Sequence, residues 1–377
     1  MQISEFNQAC RAGSEAALDA ELLENRSWLR AEAGVLPLRL PLDHAFVRDA
    51  FFFVKPRSQM SLKYPLPESR LHVLPQARLI SPAWAIVSHD NLLLQDSYFN
   101  DEILQRSGHF LKQRLKLQLE GRPQEIPFAL YRPGLEQRQV DEPCYLPAYY
   151  WHFNYHHWLL ECLPWLEDFV TDPRFSACKL VLPARLNAFQ QASLELYGIE
   201  EDRILGFGEQ ECRFRRLYVP SLGKWTPERL RQLKQSLLQR AGIKPGRPEK
   251  RLYISRRDAA TRRIVNEAAL EALLRERGFE ILDLAQMPLT RQMELMSQAR
   301  VILGPHGAGL TNAIFAPSEC LLLELCPDDQ VNQCFWIQAN ALGQDYSYLC
   351  GRTLNPDRDF EIDPAQLAQV LDSLDRP

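Results

Sequence analysis

The chain has 377 residues, enough for about two domains of ordinary size. Hydrophobic residues make up 46% of it and charged residues 24%, which is typical of a globular protein with a buried core. The formal net charge is −4, from 44 Lys and Arg against 48 Asp and Glu. This balance argues against nucleic-acid binding through bulk positive charge, so no nucleic-acid partner is expected.

The nine cysteines are odd in number, scattered and without a C-x-x-C pair, so neither a disulfide framework nor a zinc ribbon is expected. Scattered cysteines with apolar neighbours are typical of a reducing compartment. The first residues lack the basic segment and apolar segment of a signal peptide. No stretch reaches the ~18 apolar residues of a membrane span. We expect a soluble cytoplasmic protein, with peripheral contact at the inner face of the membrane left open.

Residues 1–75 are predicted as an N-terminal extension that is helical over 1–34 and irregular over 35–75. Apolar residues at helical spacing and Gly34 as a stop favour the helix. The run Phe51–Val54 is predicted as a buried strand, and contact with a membrane or an acceptor is the alternative.

Residues 76–225 alternate between short apolar strands and helices, which predicts a first α/β domain. The assigned segments are the strands Ala83–Ser88, Lys179–Pro183 and Phe214–Pro220, and a helix over Ala188–Tyr197 that ends at Gly198. The stretch Ser221–Gly246 contains a helix over Pro227–Arg240 and then a Gly- and Pro-rich segment. We interpret this stretch as the linker between the domains.

Residues 226–355 contain the clearest pattern, in which strand and helix alternate. The strands are predicted over Arg251–Ser255, Phe279–Leu284, Val301–Leu303 and Leu321–Leu325. The helices are predicted from Asn266 to Gly278, over Arg291–Ala299 behind a cap at Thr290, and over Leu310–Phe315. Val265 and Leu270 are spaced to form a hydrophobic staple around the Asn266 cap. The pattern predicts a parallel, doubly wound sheet. A last amphipathic helix, Asp363–Leu374, lies within 356–377.

Ligands of open parallel sheets bind at the carboxyl ends of the strands, which selects the loops that begin at Arg256, Ala285, Gly304 and Cys326. The first loop, S-R-R-D-A-A-T-R-R at 255–263, places four arginines before the start of a helix. Arginine forks and a helix N-terminus both suit phosphate oxygens. A solvated basic loop is the alternative.

The third loop, G-P-H-G-A-G-L-T-N at 304–312, joins a strand to a helix and is rich in glycine. Its three glycines allow a ligand to approach the backbone N–H groups, and Thr311 and Asn312 add side-chain donors. The segment matches neither the P-loop nor the dinucleotide-binding pattern. Because this loop and the arginine loop share one sheet edge, we predict a diphosphate site there.

A further group of candidate residues, at 151–169, lies in the first half of the chain. It is predicted as a helix that is apolar nearly all round from Trp158 onward. The exceptions form one stripe, His157, Glu161 and Asp168, at spacings of four and seven. A carboxylate beside a histidine fixes its tautomer and raises its basicity, which suits a general base. A purely structural His–Glu pair is the alternative.

Two further features belong to this helix. Pro164 has no backbone N–H and is expected to kink the helix near Leu160. A metal site made by His152, His156 and Glu161 is a further alternative, although these spacings are not H-E-x-x-H.

Three blocks of sequence together resemble glycosyltransferase family 61, in the type of the bacterial capsular-polysaccharide enzymes. They are N-Y-H-H-W-L-L-E-C-L-P from Asn154 to Pro164, Y-I-S-R with R-R-I-x-N-E from Tyr253 to Glu267, and G-P-H-G-A-G-L-T-N with its following Glu from Gly304 to Glu324. The resemblance covers roughly residues 145–327. Trp165 stands where the family often has a basic residue.

The resemblance implies a GT-B architecture of two facing Rossmann-like domains with parallel sheets. Residues 76–225 would form the acceptor domain and 226–355 the donor domain. It also implies inverting transfer of a sugar from a nucleotide sugar to a glycan or lipid-linked glycan. The expected donor is a UDP-sugar. The expected role is in capsular or cell-surface polysaccharide biosynthesis. No metal and no cofactor are expected, because arginines would stabilise the leaving diphosphate.

Site residues follow from the resemblance position by position. The catalytic pair is His157 and Glu161, and which of the two is the base stays open. The donor-binding residues are Arg256, Arg262, His306, Gly307, Ala308, Gly309, Thr311, Asn312 and Glu324. Glu324 is expected either to meet a ribose hydroxyl or to hold the neighbouring loop. The acceptor-side residues are Asn154, Tyr155, His156 and Trp158.

Two other classes of function stay open at this point. A catalytically inactive sugar-nucleotide-binding protein of polysaccharide assembly would keep the arginine and glycine loops. A metal-dependent hydrolase would centre on the histidines. The single D-x-D, Asp357–Asp359, lies late in the chain and is interpreted as a solvated loop rather than as a metal motif.

Overall fold

The computed structural model describes residues 26–31, 33–39, 63–66, 69–81, 84–89, 94, 115–119, 122–126, 136–221, 225–329 and 332–374. The chain divides into two compact units. One comprises residues 1–34 and 67–225, and the other comprises residues 35–66 and 226–377. Most of the helix predicted over 1–34 and the strand predicted at Phe51–Val54 lie outside the described residues.

The strands of the described residues are numbered in chain order. They are β1 (Arg26–Ala31), β2 (Gly34–Pro37), β3 (Lys63–Leu66), β4 (Ser69–Ile80), β5 (Ala85–Val87), β6 (Leu115–Leu119), β7 (Arg122–Ile126), β8 (Glu136–Val140), β9 (Cys144–Tyr145), β10 (Lys179–Pro183), β11 (Ile204–Phe207), β12 (Gln210–Pro220), β13 (Lys250–Ile254), β14 (Phe279–Leu282), β15 (Ala299–Pro305), β16 (Leu321–Pro327), β17 (Asp345–Thr353) and β18 (Phe360–Glu361).

The α-helices of the same residues are α1 (Tyr155–His157), α2 (Leu163–Thr171), α3 (Ala188–Leu196), α4 (Pro227–Arg240), α5 (Glu267–Glu276), α6 (Leu289–Met296), α7 (Cys334–Leu342) and α8 (Pro364–Leu374). A π-helical stretch, Trp158–Cys162, joins α1 to α2. Short 3₁₀ segments are Pro173–Phe175, Glu201–Arg203, Leu284–Gln286 and Ala308–Phe315.

The second unit contains a six-stranded sheet in the order β14-β13-β15-β16-β17-β18. The first five strands are parallel, and β18 pairs antiparallel with β17. Strand β16 is buried along its whole length, as expected for an inner parallel strand covered on both faces. One hydrophobic cluster joins the faces of β13, β15 and β16 to the apolar stripes of α5 and α8. The parallel sheet predicted for this half of the chain is confirmed.

The first unit contains a mixed sheet in the order β1-β4-β12-β9-β10-β11. Strands β12, β9, β10 and β11 are parallel neighbours, whereas β4 pairs antiparallel with both β1 and β12. The parallel sheet predicted here is therefore correct for one half only. The β4–β12 ladder is long because its strands extend over twelve and eleven residues. The molecule as described is mixed α/β with parallel-containing sheets, consistent with a Rossmann-like glycosyltransferase.

Two predictions for the N-terminal region are wrong where the structure describes it. Arg26–Ala31 is a strand that pairs with β4, not the end of a helix. The segment 35–75, predicted as irregular, contains part of β2, all of β3 and much of β4. Pairing with a distant strand overrides local helical spacing, because an isolated helix is only marginally stable and strand formation depends on the neighbours that the tertiary structure supplies.

The stretch interpreted as a linker is also corrected. Helix α4 buries Leu230, Leu233, Leu237 and Leu238, so it is part of the core of the second unit. Polar contacts fix it as well, since Lys234 Nζ donates to the Ala316 carbonyl at 2.6 Å. An amphipathic helix with a filled apolar stripe belongs to a domain and not to a spacer.

The helix caps predicted in the second unit are found only in part. Asn266 stands at the N-cap position of α5, but its side chain does not cap the helix, because its Oδ1 accepts from the Ile362 N–H at 3.3 Å while its Nδ2 donates to the Ile362 carbonyl at 2.7 Å. Val265 is 56% exposed while Leu270 is buried, so the staple between them is absent. Helix α6 begins at Leu289 behind Pro288, which places Thr290 inside the helix.

Candidate functional site

Two loops of the second unit leave the sheet edge at the carboxyl ends of β13 and β15, which are adjacent parallel strands. The side chain of Arg256 lies against Gly307, so that a Cβ at position 307 would stand only 2.8 Å from Arg256 Cζ. The backbone of Gly307 is extended (φ 172°), so the glycine is required here by space and not by conformation. The arginine loop and the glycine loop, as predicted, lie together.

The four arginines of the loop separate into two kinds. Arg257 forms an ion pair with Glu271, and Arg263 forms one with Asp359 at 2.6 Å. Arg256 and Arg262 form no salt bridge with the described residues. The Nε of Arg256 donates to the Thr261 carbonyl at 3.2 Å. Two of the four arginines thus hold the loop, and two remain available to an anion.

The positive charges of Arg256 and Arg262 repel one another in a partly buried setting. Burial and then the charge of Arg262 lower the pKa of Arg256 to about 10. Burial and then the charge of Arg358 lower the pKa of Arg262, while Glu324 acts in the opposite direction. Arg256 is still a cation at neutral pH. Cations held together out of water gain stability from an anion, which is the property of a phosphate site.

Backbone contacts fix both arginines from opposite sides. The backbone N–H of Arg262 donates to the Asp357 carbonyl at 2.9 Å, and Arg262 has a left-handed φ of 57°. Glu267 accepts from the Tyr253 hydroxyl at 2.8 Å and from the Arg256 backbone at 3.4 Å. Glu267 therefore couples β13 to the start of α5 through the arginine loop. Glu267 ends the second sequence block, where the sequence analysis assigns it no role.

The D-x-D segment is the predicted solvated loop only in part, because Asp357 and Arg358 are exposed and Asp359 is not. Asp359 is buried and accepts from the side chain and backbone of Arg263. The hydrogen bond from Arg263 is the largest cause that lowers the pKa of Asp359. Among the described residues, no group of three or more His, Cys, Asp and Glu side chains is arranged to hold a metal ion.

His306 lies at the end of β15, where its Nδ1 contacts Oε1 of Glu324. The second oxygen of Glu324 accepts from the Tyr346 hydroxyl at 2.6 Å. Glu324 is completely buried, and each of its carboxylate oxygens has a polar partner. This supports the second of its two predicted roles, that of holding the neighbouring loop.

The remaining residues of the glycine loop differ in exposure. Ala308 and Gly309 are partly exposed, whereas Thr311 and Asn312 are buried. The Asn312 amide donates to Gln292 Oε1 and to the Gly309 carbonyl, both at 3.1 Å. Asn312 therefore shapes the loop from inside, while Ala308 and Gly309 are partly exposed.

The helix predicted to carry the base lies in the first unit and is irregular where the sequence predicts it. The π-helical stretch Trp158–Cys162 directly precedes α2, with the Leu163 N–H donating to the Trp158 carbonyl. Pro164 has no N–H to satisfy the Leu160 carbonyl, and a π turn is one way in which a helix absorbs such a break. Because α-helical spacing does not hold across a π stretch, the stripe cannot be extended to Asp168 by counting residues.

His157 and Glu161 do form a contact, with Nδ1 of His157 at 2.7 Å from Oε2 of Glu161. The His157 side chain is 22% exposed and that of Glu161 is 6% exposed. The buried Tyr149 hydroxyl donates to the same Glu161 oxygen and lies 3.1 Å from the His157 Nδ1. Tyr149 is absent from the sequence-predicted site, because neither its spacing nor its neighbours set it apart.

The four residues predicted on the acceptor side have different surroundings. Trp158 is 1% exposed, and its Nε1 donates to Ser193 Oγ at 2.9 Å. It therefore belongs to the core and not to the acceptor side. Asn154 caps α1 by accepting from the His156 N–H at 2.9 Å. Tyr155 and His156 are partly exposed.

Three other aromatic side chains form a partly exposed cluster beside His157. They are Tyr150, Trp151 and Phe153, and the Phe153 ring is 48% exposed. The rings of Trp151 and Phe153 lie 5.4 Å apart, and Trp151 stacks on the His157 ring at 5.7 Å with 24° between the planes. A ring that stacks on the imidazole limits its rotation and extends an apolar surface beside it.

The chain matches the family model described as Glycosyltransferase 61 over residues 155–323. It is 31% identical over 163 residues to the beta-1,2-xylosyltransferase XAX1 of Oryza sativa subsp. japonica. That alignment covers 43% of this chain and 27% of the relative, so the chain spans about a quarter of the length of the relative. Both similarities support a glycosyltransferase, and the residues matched by the family model include the His157 helix and the two loops of the second unit.

Proposed function

We propose that this chain is an inverting glycosyltransferase that moves a sugar from a nucleotide sugar to a hydroxyl of a glycan. The observation that carries the proposal is the contact between Arg256 and Gly307, which joins two anion-binding loops at one sheet edge. The similarity to Glycosyltransferase 61 over residues 155–323 gives independent support. The GT-B arrangement that the resemblance implies remains a prediction.

The second unit would bind the donor through its diphosphate. Arg256 and Arg262 would face the phosphate oxygens, together with backbone N–H groups of the partly exposed Ala308 and Gly309. His306 adds an imidazole at the same loop, held by Glu324. As the bond from the sugar to the diphosphate breaks, negative charge grows on the leaving group, and preorganised donors stabilise that charge. A UDP-sugar is the proposed donor.

The first unit would supply the base. The acceptor hydroxyl would lose its proton to the base while its oxygen attacks the anomeric carbon from the face opposite the diphosphate. Burial favours His157 over Glu161 for this task, because the imidazole reaches solvent and the carboxylate does not. Glu161 would then orient the ring and stabilise the imidazolium. The partly exposed Trp151 and Phe153 offer an apolar surface for the acceptor sugar, beside Tyr155 and His156.

The proposed setting is the synthesis of a capsular or other cell-surface polysaccharide in the cytoplasm, on a glycan or lipid-linked acceptor. Peripheral contact with the inner face of the membrane belongs to the same proposal. Among the described residues, no helix is long and apolar enough to cross a membrane.

A thermal-shift screen against nucleoside diphosphates and nucleotide sugars tests the donor site. A ligand that binds only the native state raises the apparent melting temperature. We expect a shift with a nucleoside diphosphate that is lost in Arg256→Ala and kept in Arg257→Ala. Transfer is then measured with the stabilising donor and a panel of glycans. The absence of any donor shift would overturn the proposal, while donor binding without transfer would favour an inactive binding protein.

Replacing the proposed base separates chemistry from donor binding. We expect His157→Ala to lose roughly 10²–10⁴-fold in kcat, the usual contribution of a positioned base. Donor affinity is expected to change little, because the diphosphate would be held by the second unit. Glu161→Gln should lose less. If Glu161→Gln is the less active variant, the carboxylate is the base, and if both variants lose donor binding or unfold, the pair is structural.

A further inference from the structure

Two polar groups meet at one oxygen of Glu161. The Tyr149 hydroxyl donates to Oε2, and Nδ1 of His157 lies 2.7 Å from the same atom. Tyr149 is eight residues before His157 in the chain and is 1% exposed. Burial, and next the charge of Glu161, raise the pKa of Tyr149 well above its usual range, so its hydroxyl keeps its proton and stays a donor.

We propose that Tyr149 is a positioning residue that holds the Glu161 carboxylate and thereby fixes which nitrogen of His157 carries the proton. The proposal rests on the proposed function, in which His157 is the base. Tyr149 itself touches neither substrate nor reacting atoms in this role. It acts through Glu161 on the proton of the ring.

The tautomer follows from counting protons. An ionised carboxylate only accepts hydrogen bonds, so the atom that lies 2.7 Å from Oε2 has to supply a hydrogen. The single hydroxyl proton of Tyr149 is already directed to Glu161. Nδ1 of His157 therefore carries the ring proton, and Nε2 of the neutral ring has the lone pair. The stacked Trp151 ring, at 5.7 Å, disfavours the rotation that would exchange the two nitrogens.

Three titratable groups among the described residues adjoin the pair. Tyr149 precedes the helix, while His156 and Cys162 lie on either side of the pair along the helix. The rings of His156 and His157 lie 5.4 Å apart. Burial raises the pKa of the Cys162 thiol, so it stays neutral. A proton that binds to the pair is therefore placed on His157 or Glu161.

The direction of the effect of Tyr149 follows from charge. The hydroxyl stabilises Glu161 most when the ring is neutral, because the carboxylate is then uncompensated. When the ring is protonated, the imidazolium already neutralises the carboxylate. Removing the hydroxyl thus destabilises the proton-free pair more than the protonated pair. Tyr149→Phe should raise the titration midpoint of the pair by less than the roughly 1–2 pH units that correspond to the loss of a whole hydrogen bond to a charged group.

Nuclear magnetic resonance of the full chain with isotope-labelled histidine rings measures both features without any substrate. His157→Gln identifies the His157 signals. We expect the neutral His157 ring to carry its proton on Nδ1, and the midpoint of its titration to rise in Tyr149→Phe. The matched control is Tyr145→Phe, because Tyr145 is also buried but donates to the Trp165 carbonyl at 3.1 Å. This control should leave the midpoint unchanged.

A neutral ring protonated on Nε2 in the unmodified protein would overturn the proposal, even if Tyr149→Phe does not fold. An unchanged midpoint in a folded Tyr149→Phe, or an equal rise in Tyr145→Phe, would overturn it too. Because no sugar enters the measurement, a failure of the proposed function is seen separately, as no transfer by a protein with the expected tautomer. Where transfer is found, the acidic limb of kcat/KM should move to higher pH in Tyr149→Phe.

Discussion

Arg256 and Arg257 are neighbours in the chain with opposite surroundings. Arg257 is exposed and compensated by Glu271, whereas Arg256 lies on Gly307 and forms no salt bridge with the described residues. The sequence shows four equivalent arginines, and only their contacts separate the two that support the loop from the two that suit an anion. A comparison of these neighbours is therefore the most direct test at this scale.

We expect Arg256→Ala to cost about 2–4 kcal/mol of transition-state stabilisation, the scale of losing a preorganised donor to a developing anion. The loss should be seen in kcat/KM for the donor with the fold intact. Arg257→Ala serves as the control from the same loop and should keep most of the activity. Near-normal donor kinetics in Arg256→Ala would show that the loop is only a basic surface.

A second prediction at the residue scale concerns His152 and the pH dependence of stability. Its Nδ1 is buried without a hydrogen-bond partner, and its ring lies 4.7 Å from that of Trp84. Burial lowers the pKa of His152 from 6.5 to about 4. The unfolded chain therefore takes up a proton near pH 6.5 that the folded chain refuses until about pH 4.

The unfolding free energy of the first unit is expected to fall as the pH drops from 6.5 towards 4, by up to about 3 kcal/mol from this group. His152→Phe keeps an aromatic ring and removes the titration, so its unfolding free energy should depend less on pH in this window. The exposed His89, replaced by Gln, is the control. Denaturant unfolding at a series of pH values measures the effect, and parallel curves for His152→Phe and the unmodified protein would contradict it.

At the scale of elements, the arginine loop and the glycine loop lie at one sheet edge as predicted, because both follow from local patterns. An apolar run that ends in a Gly- or Arg-rich segment before a helix is visible in the sequence, and parallel strands bring such ends to one edge. Pro164 is an equally local signal, and a π-helical stretch directly precedes the helix that contains it. The wrong predictions, a helix at 26–31 and a cap at Thr290, involve a partner far along the chain or a start shifted by two residues. Asn266 is at the predicted N-cap position, but its side chain bonds to the distant Ile362 instead.

Gly307 offers a test of how the two loops are coupled. In Gly307→Ala the new methyl group would stand 2.8 Å from Arg256 Cζ, so the guanidinium has to move. We expect weaker donor binding and a smaller thermal shift with a nucleoside diphosphate, close to the effect of Arg256→Ala. Gly208→Ala is the matched control, because its methyl group would make an ordinary 3.4 Å contact with Ala184. Equal donor binding in both glycine variants would show that the position of Arg256 does not matter for the donor.

For the molecule as a whole, the donor is expected to bind without a metal ion. Arg256 and Arg262 would supply the positive charge that Mg²⁺ provides in other transferases, and the D-x-D aspartate Asp359 is engaged by Arg263. Donor binding and transfer should persist in EDTA. Activity that disappears in EDTA and returns with Mg²⁺ or Mn²⁺ would contradict this prediction, and an assay of chelated protein with and without added metal decides it.

The sequence by itself determined the α/β class of the second unit, the two loops at its sheet edge and the helix with its His–Glu pair. Strand and helix periodicity, glycines and adjacent charges are local, and they leave a regular trace in the sequence. Only the tertiary structure decided which arginines are paired, that Trp158 is core, and that Tyr149 and Tyr346 donate to the two buried glutamates. A buried hydroxyl acquires its role from a partner that folding brings to it, and such a contact has no period along the chain.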